Sequence, residues 1–582
     1  MNILSVRDFS LEFKNDNIWQ PVTQNISFDL PKGKTVGIVG ESGSGKSVTA
    51  LSIMGLLPPR MTRIAQGEIC FVPPSTGVAL DLCRLSEKEF LSVRGKQIAM
   101  IFQEPMTSLN PVFTCGRQVE EAILRHEPCT RAEAKQRVWK WFERVKLPSP
   151  HAVFRAYPHE LSGGQKQRVM IAMAMSCNPH ILIADEPTTA LDVTVQKEIL
   201  ELIRDLQREY AMSVLFISHD LSVVSEVADE VVVLWKGKMV EHGTLKDIFL
   251  SPSHPYTRGL MACRPPTTNT RPEKLPTIED FIQNNQKDDN KNIIVQTFQQ
   301  EPFREFNITE HAFASDFLKV ENLSKQYLIR KQHLFSKQQY FKVLNQVNFS
   351  IYEGETLGLV GESGCGKTTL GRSILRLIEP DSGEIYYKGT ALTTLSIREM
   401  RKKRRELQIV LQDPYASLNR RMIVGAALIE PMKIHEIGRD DRERKQRAIS
   451  LLERVHLQEN HFYRYPHELS GGQRQRVVIA RALALAPKFI ICDESVSALD
   501  ISVQATVLNL LNDLKKEYHL TYIFISHDLS VVKYMSNRIA VMQKGEIVEL
   551  SDADTLYAQP ATDYTRKLIA AIPGNNKRLN YS

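Results

Sequence analysis

At 582 residues the chain is too long for one hydrophobic core, so two or more domains are expected. With 42% hydrophobic and 24% charged residues it reads as globular, which excludes a disordered or fibrous chain. A net charge of +7 is small for this length and reads as a solvated, mildly basic surface, with no nucleic-acid partner implied.

Eight cysteines (70, 83, 115, 129, 177, 263, 365 and 492) lie scattered, without a C-x-x-C pair, and point to a reducing compartment. Met1 to Asp8 lacks the basic and apolar regions of a signal peptide. No run approaches the roughly 18–20 apolar residues that span a bilayer, so another chain must supply any crossing.

In chain order, Leu4 to Phe9 alternates as a strand, and Ile26 to Leu30 reads as a second strand ending at the turn Pro31-Lys32-Gly33. Thr35 to Val39 is an apolar run leading into Gly40-Glu41-Ser42-Gly43-Ser44-Gly45-Lys46-Ser47, and Thr49 to Met54 can continue as a helix. Strand, G-x-x-x-x-G-K-[ST] and helix make the geometry in which backbone N–H groups surround phosphate oxygens at a helix N-terminus. Lys46 is expected to reach the β- and γ-phosphates, and Ser47 to offer its hydroxyl to Mg²⁺. Further on, Gln103 precedes an acidic-proline turn and can swing toward Mg²⁺ and a water. Leu161-Ser162-Gly163-Gly164-Gln165 is a second glycine-rich cap ahead of a helix. Ile181 to Ala184, a buried strand, ends in Asp185 and Glu186, at the carboxyl end where an open α/β sheet binds its ligand. Asp185 is expected to hold Mg²⁺ and Glu186 to polarise the attacking water, with His219 reaching the γ-phosphate from a neighbouring strand.

Every one of these landmarks recurs. Gly40 and Gly361 are 321 residues apart, Gln103 and Gln412 309, and Ser162/Ser470, Asp185/Asp493 and His219/His527 each 308. The second phosphate loop reads Gly361-Glu362-Ser363-Gly364-Cys365-Gly366-Lys367-Thr368, so Lys367, Thr368, Gln412, Asp493, Glu494 and His527 repeat the roles of the first set. Self-similarity of this kind means two copies of one domain, and strands alternating with helices argue α/β with a mainly parallel sheet. The surplus in the first copy is placed in the proline-containing segment Phe71 to Leu82. The expected domains are residues 1–263 and 317–582. Residues 264–316 are read as a flexible polar linker with a short ordered segment near Leu275 to Phe281.

With both LSGGQ stretches included, the chain resembles ATP-binding-cassette (ABC) ATPases over Leu4 to Cys263 and Leu318 to Pro573. That resemblance implies two tandem P-loop nucleotide-binding domains, each with a mainly parallel core sheet, an N-terminal antiparallel β part and a helical signature subdomain. ATP and Mg²⁺ are the implied ligands, with hydrolysis at two composite sites between head-to-tail cassettes. Each phosphate loop (Gly40, Ser42, Gly43, Ser44, Gly45 and Val48; Gly361, Ser363, Gly364, Cys365, Gly366 and Thr369) would face the opposite copy's signature. Those signatures are Ser470, Gly471, Gly472 and Gln473, and Ser162, Gly163, Gly164 and Gln165. Phe13 and Tyr327 match the adenine-stacking aromatic, although a core aromatic fits the sequence as well. Asp192 and Asp500 match the loop through which the sites sense each other. Ser495 in place of the proline seen at Pro187, and Val48 opposite Thr369, are departures that remove no catalytic group.

The stretches Gln103 to Pro111 and Gln412 to Asn419, and the tails His254 to Leu260 and Asp563 to Leu568, resemble the oligopeptide/dipeptide/nickel importer group. The two ATPases look fused, as in microcin C and some peptide uptake systems. After Cys263 the next cysteine is Cys365, so no iron–sulfur cluster is expected. The resemblance implies a peripheral subunit on the cytoplasmic face of the membrane, coupled to two transmembrane permease chains and through them to an extracytoplasmic solute-binding protein. The alternatives are a tandem ATPase acting on ribosomes, which usually has a long charged helical linker, and a sugar-importer ATPase, in which one site often loses catalytic residues.

Overall fold

The computed structural model describes residues 1–15, 17–103, 108–189, 191–266, 271–284, 316–329 and 339–573. By contacts they divide into two units. The first comprises Met1–Met261 and resumes at Ile278; the second takes Ala262–Thr277 and later runs to Ile572.

In the first unit ten strands form, in chain order, β1 (Asn2–Asn15), β2 (Ile18–Pro31), β3 (Thr35–Val39), β4 (Thr62–Phe71), β5 (Leu80–Asp81), β6 (Ile98–Ile101), β7 (Ile181–Asp185), β8 (Ser213–Ser218), β9 (Glu230–Trp235) and β10 (Lys238–Thr244). Their order across the sheet is β5-β4-β1-β2-β10-β9-β3-β8-β7-β6. Two parts are joined at one bridge, Lys238 to Gln24. The β1, β2, β4 and β5 part is antiparallel and alternates buried with exposed residues, as a sheet with one packed face should. β3, β6, β7 and β8 run parallel, and every residue in them is buried. A strand covered on both faces needs a continuous apolar run, and Thr35-Val36-Gly37-Ile38-Val39 and Ile181-Leu182-Ile183-Ala184 are such runs.

The second unit repeats the design. β11 (Leu318–Ile329), β12 (Gln339–Ile351), β14 (Ser382–Tyr387) and β15 (Thr390–Ala391) make an antiparallel sheet in the order β12-β11-β14-β15. A second sheet, β16-β17-β18-β13-β19-β20, is built from β13 (Thr356–Val360), β16 (Leu407–Val410), β17 (Phe489–Asp493), β18 (Thr521–Ile525), β19 (Arg538–Gln543) and β20 (Glu546–Asp552). Pairing equates Phe71 with Tyr387, through Leu4 and Leu318, and Leu80 with Thr390. The surplus of the first copy is therefore split: part follows Phe71 as expected, and part precedes it in the longer β4. A two-stranded extension absorbs extra residues without disturbing the core, and the hydropathy pattern alone does not fix where it begins.

Between the cassettes, 267–270 and 285–315 lie outside the described residues. Within the stretch read as a polar linker, the described residues 271–277 lie against the second unit. Leu275 is 2% exposed, and both sides of its backbone meet Asn509: Leu275 N–H donates to Oδ1 at 2.8 Å and Asn509 Nδ2 donates to Leu275 O at 2.8 Å. Arg271 donates to Ser536 O at 2.7 Å and pairs with Asp554 at 3.2 Å, while Tyr534 Oη donates to Glu273 O at 3.2 Å. A segment can look like linker by composition and still be anchored by one apolar side chain and a few backbone bonds. The helix Ile278–Asn284 follows, counted with the first unit.

Candidate active sites

Each phosphate loop joins a buried parallel strand to a helix, Lys46–Ile53 or Lys367–Ile374, whose N-cap glycine is left-handed: Gly45 at φ 99° and Gly366 at φ 111°. A Cβ on Gly40 would stand 2.2 Å from Leu234 O, and one on Gly361 2.2 Å from Met542 O, so neither position tolerates a side chain. The lysines turn back onto their own loops. Lys46 Nζ donates to Gly40 O at 2.7 Å and Glu41 O at 2.9 Å; Lys367 Nζ donates to Gly361 O at 2.7 Å and Glu362 O at 3.0 Å.

The strand-end acids meet these loops. Ser47 Oγ donates to Asp185 Oδ1 at 3.1 Å, and Thr368 Oγ1 to Asp493 Oδ1 at 3.1 Å. Gln103 Nε2 donates to Glu186 Oε2 at 3.1 Å, and Gln412 Nε2 to Glu494 Oε2 at 2.6 Å. His219 Nδ1 lies 3.2 Å from Glu186 Oε1, and His527 Nδ1 3.6 Å from Glu494 Oε2. Residues separated by more than 100 positions thus converge on one point in each unit, with the second His–Glu contact the looser one.

The adjacent acids are driven apart in acidity. Burial pushes the Asp185 carboxyl up to about 6, against the Ser47 hydrogen bond. Burial would raise Glu186 too, but the hydrogen bond and charge of His219, with Lys46 and Thr189, outweigh it and bring Glu186 down to about 2. Asp493 is likewise raised by burial. Glu494 is lowered, burial being outweighed by His527 and Lys367. Two neighbouring carboxyls with opposite shifts mark different roles. A carboxylate held as low as Glu186 orients a water better than it takes a proton from it.

Both glutamates adopt the left-handed region, at φ 47° for Glu186 and φ 46° for Glu494, a conformation costing on the order of 1 kcal/mol or more in a non-glycine residue. Each is held there by its N–H, donated to Ile217 O or Ile525 O at 2.9 Å. The same strain in both copies argues that this strand end is shaped to aim the carboxylate.

The signature stretches start helices. Ser162 Oγ accepts from Gln165 N–H at 3.3 Å and Gln165 Oε1 accepts from Ser162 N–H at 3.1 Å, a reciprocal cap on the helix Gly163–Met175. Ser470 and Gln473 do the same at 3.3 and 3.0 Å for Gly471–Leu483. Gly164 and Gly472 press on Val195 and Val503, where a Cβ would fall within 2.7 and 2.2 Å. Gly163 and Gly471 are exposed. Of the aromatics, Phe13 packs partly buried against the hydrophobic core and Tyr327 is 43% exposed. Within the loops, Ser44 and Cys365 are buried, Ser42, Gly43, Ser363 and Gly364 are not, and Val48 packs partly buried against the core. Thr369, the residue opposite Val48, is half-buried in its helix. Glu104 to Thr107 and Ala190 lie outside the described residues.

Sequence reasoning missed Thr189 and Ser497. Thr189 Oγ1 donates to Glu186 Oε2 at 2.9 Å, and Ser497 Oγ to Glu494 O at 2.9 Å. The available signal was a hydroxyl three residues after the glutamate in both copies.

A lysine, a hydroxyl, two acids, an amide and an imidazole gathered around a phosphate-sized loop suit cleavage of a nucleoside triphosphate by water, so each unit is a P-loop nucleotide-hydrolysing cassette. The chain belongs to the ABC transporter family, whose model matches residues 23–189 and 344–497, together more than half its length. The model of the oligopeptide/dipeptide transporter C-terminal region matches residues 240–290 and 548–581. Among curated relatives, the glutathione import ATP-binding protein GsiA of Escherichia coli K12 is 44% identical over 98% of this chain and 90% of its own. The protein of the same name from Salmonella typhimurium LT2 is 45% identical with the same coverage. Among solved structures, the dimeric ATP-binding cassette MJ0796 bound to ADP and Pi is 31% identical, covering 40% of this chain and 98% of that one, with a TM-score of 0.37. The chain is an ATP-binding, ATP-hydrolysing importer subunit that works with membrane permease chains. These matches decide against the ribosome-acting alternative. Among the described residues no helix is long and apolar enough to cross a membrane.

Proposed function

We propose that this chain powers uptake of short peptides or peptide-like solutes, with glutathione, the solute named for its relatives, as the first candidate. In this reading it sits on the cytoplasmic face of the membrane, and its two permease chains receive solute from an extracytoplasmic binding protein. The observation carrying the proposal is identity of 44% spread over 98% of the chain, together with two catalytic constellations that keep every group. A retained pair of constellations also separates it from the sugar-importer pattern.

Mg²⁺ fits the residues present. Asp493 Oδ2 is buried with no hydrogen-bond partner among the described residues, and Thr368 Oγ1 and Gln412 complete an all-oxygen donor set of the kind hard cations take. In the first site Ser47, Asp185 and Gln103 would hold it. When bound, Mg²⁺ offsets the negative charge of the β- and γ-phosphate oxygens. Lys46 and Lys367, released from their loop carbonyls, would pair with the same phosphates. His219 and His527 would turn to the γ-phosphate, which frees Glu186 and Glu494 to accept a proton from the attacking water they orient.

The test is purification of a Glu186→Gln/Glu494→Gln double variant from the native host, in detergent with ATP, where slowed hydrolysis traps the complex. Two multi-spanning permease chains in the pull-down are expected. Ribosomal proteins without any membrane protein would overturn the assignment. Labelled glutathione uptake that persists unchanged after deletion of this chain would remove glutathione as its solute.

A further inference from the structure

Each phosphate loop is gripped by a tyrosine from a distant tail. The Glu41 N–H donates to Tyr256 Oη at 3.0 Å, across 215 positions, and the Glu362 N–H donates to Tyr564 Oη at 3.1 Å, across 202. The other side of the same peptide group is the carbonyl of Gly40 or Gly361, which accepts from Lys46 or Lys367 at 2.7 Å. One peptide in each loop is therefore held at its carbonyl by the phosphate-facing lysine and at its N–H by the tail.

The tails themselves are pinned to the sheet in the same way twice. Glu241 on β10 accepts from Ser253 N–H at 2.6 Å, Ser253 Oγ at 2.9 Å and His254 N–H at 3.2 Å. Glu549 on β20 accepts from Ala561 N–H at 2.9 Å, Thr562 N–H at 3.1 Å and Thr565 Oγ1 at 2.5 Å. Tyr256 is fully buried and stacks on Trp235, ring centroids 5.4 Å apart. A phenol placed this firmly is a fixed hydrogen-bond acceptor for the loop. Trp235 is replaced by Gln543 in the second copy, yet the tyrosine-to-loop bond is kept, so the contact does not depend on that stacking.

We propose that Tyr256 and Tyr564 are positioning residues for ATP binding, which hold the Gly40–Glu41 and Gly361–Glu362 peptides in the phosphate-competent orientation. The inference rests on the reading of these loops as the phosphate sites. When the lysine leaves its carbonyl for phosphate, the peptide loses the partner on that side, and the tyrosine bond on its N–H remains. Without the hydroxyl the loop samples orientations that do not accept phosphate, and apparent affinity falls by the fraction of time lost. Bonds on both sides of one peptide also polarise each other, so the tail and the lysine strengthen one another's hold on the loop.

The experiment titrates a fluorescent ATP analogue into the full chain carrying Tyr256→Phe in a Lys367→Ala background, which reports the first loop alone, and Tyr564→Phe in a Lys46→Ala background. Phenylalanine keeps the ring and removes the hydroxyl, which is the loop's acceptor and a donor in its own right. Weaker binding by about three- to tenfold is expected, the size of one lost hydrogen bond. In the otherwise wild-type chain, each single Phe variant should raise KM for ATP while kcat at saturation stays within about twofold. Unchanged affinity overturns the proposal. So does a fall in kcat matched by a lower melting temperature without nucleotide, since that is the signature of a purely structural tyrosine. If Lys46→Ala and Lys367→Ala fail to weaken binding, the reading of the loops falls instead, which separates the two failures.

Discussion

Asn509→Ala tests whether residues 271–277 belong to the second cassette. The Asn509 side chain takes both the N–H and the C=O of Leu275, each at 2.8 Å. Truncation leaves two backbone groups unpaired beside a leucine that is 2% exposed. An unsatisfied buried polar group costs about 1–3 kcal/mol, but Asn509 is only half-buried and water reaches part of the gap. The expected loss is therefore about 2 kcal/mol, or roughly 3–4 °C in the melting of a unit this size. The ion pairs Lys274–Asp513 and Lys516–Glu273, at 2.9 and 2.6 Å, join largely exposed side chains, so Lys274→Ala should change stability by less than about 1 kcal/mol. Calorimetry of the full chain measures the shift, and hydrogen exchange in the helix Ile501–Tyr518 assigns it to the second cassette. An Asn509→Ala transition within about 1 °C of wild type, or one moved no further than that of Lys274→Ala, would refute the reasoning.

Replacing His219 with alanine removes the imidazole 3.2 Å from Glu186, and ATPase kcat should fall by about a hundredfold with nucleotide affinity nearly unchanged. His527→Ala, at the looser 3.6 Å contact, should act in the same direction; wild-type turnover in either variant would remove that histidine from catalysis. Lys515 gives a pH test: burial lowers its pKa from 10.5 to about 8, with Glu355 opposing. Below pH 8 the ammonium is charged in both states and the burial penalty stands in full. Between pH 8 and 10.5 the unfolded chain binds the proton and the folded chain does not, so stability rises with pH there. Lys515→Gln, which installs the residue found at Gln207 in the first copy, abolishes that rise. Denaturant melts at pH 7 to 10.5 should show wild type gaining on the variant by up to about 3 kcal/mol, and parallel curves would contradict it.

The sequence by itself determined the elements whose chemistry is written in consecutive residues. A glycine loop after a buried strand, two acids at a strand end and a capped signature helix each depend on backbone geometry within a few positions. Their recurrence at nearly constant offset made two α/β cassettes and both sets of candidate site side chains legible in the sequence. Only the tertiary structure decided what those side chains do to one another. The opposite acidity of Asp185 and Glu186 arises from burial and from His219, which β8 delivers beside β7; neither is a property of the dipeptide. The left-handed turn at Glu186 and Glu494 is likewise imposed by the neighbouring strand that accepts each N–H. Within the polar stretch between the cassettes, the sequence pointed to a short ordered segment near Leu275 to Phe281, but not to the clamp of Asn509 on the Leu275 backbone, which comes from 234 positions away. The grip of Tyr256 and Tyr564 on the phosphate loops spans more than 200 positions, and contacts that distant follow from how sheets and tails pack, which no local pattern encodes.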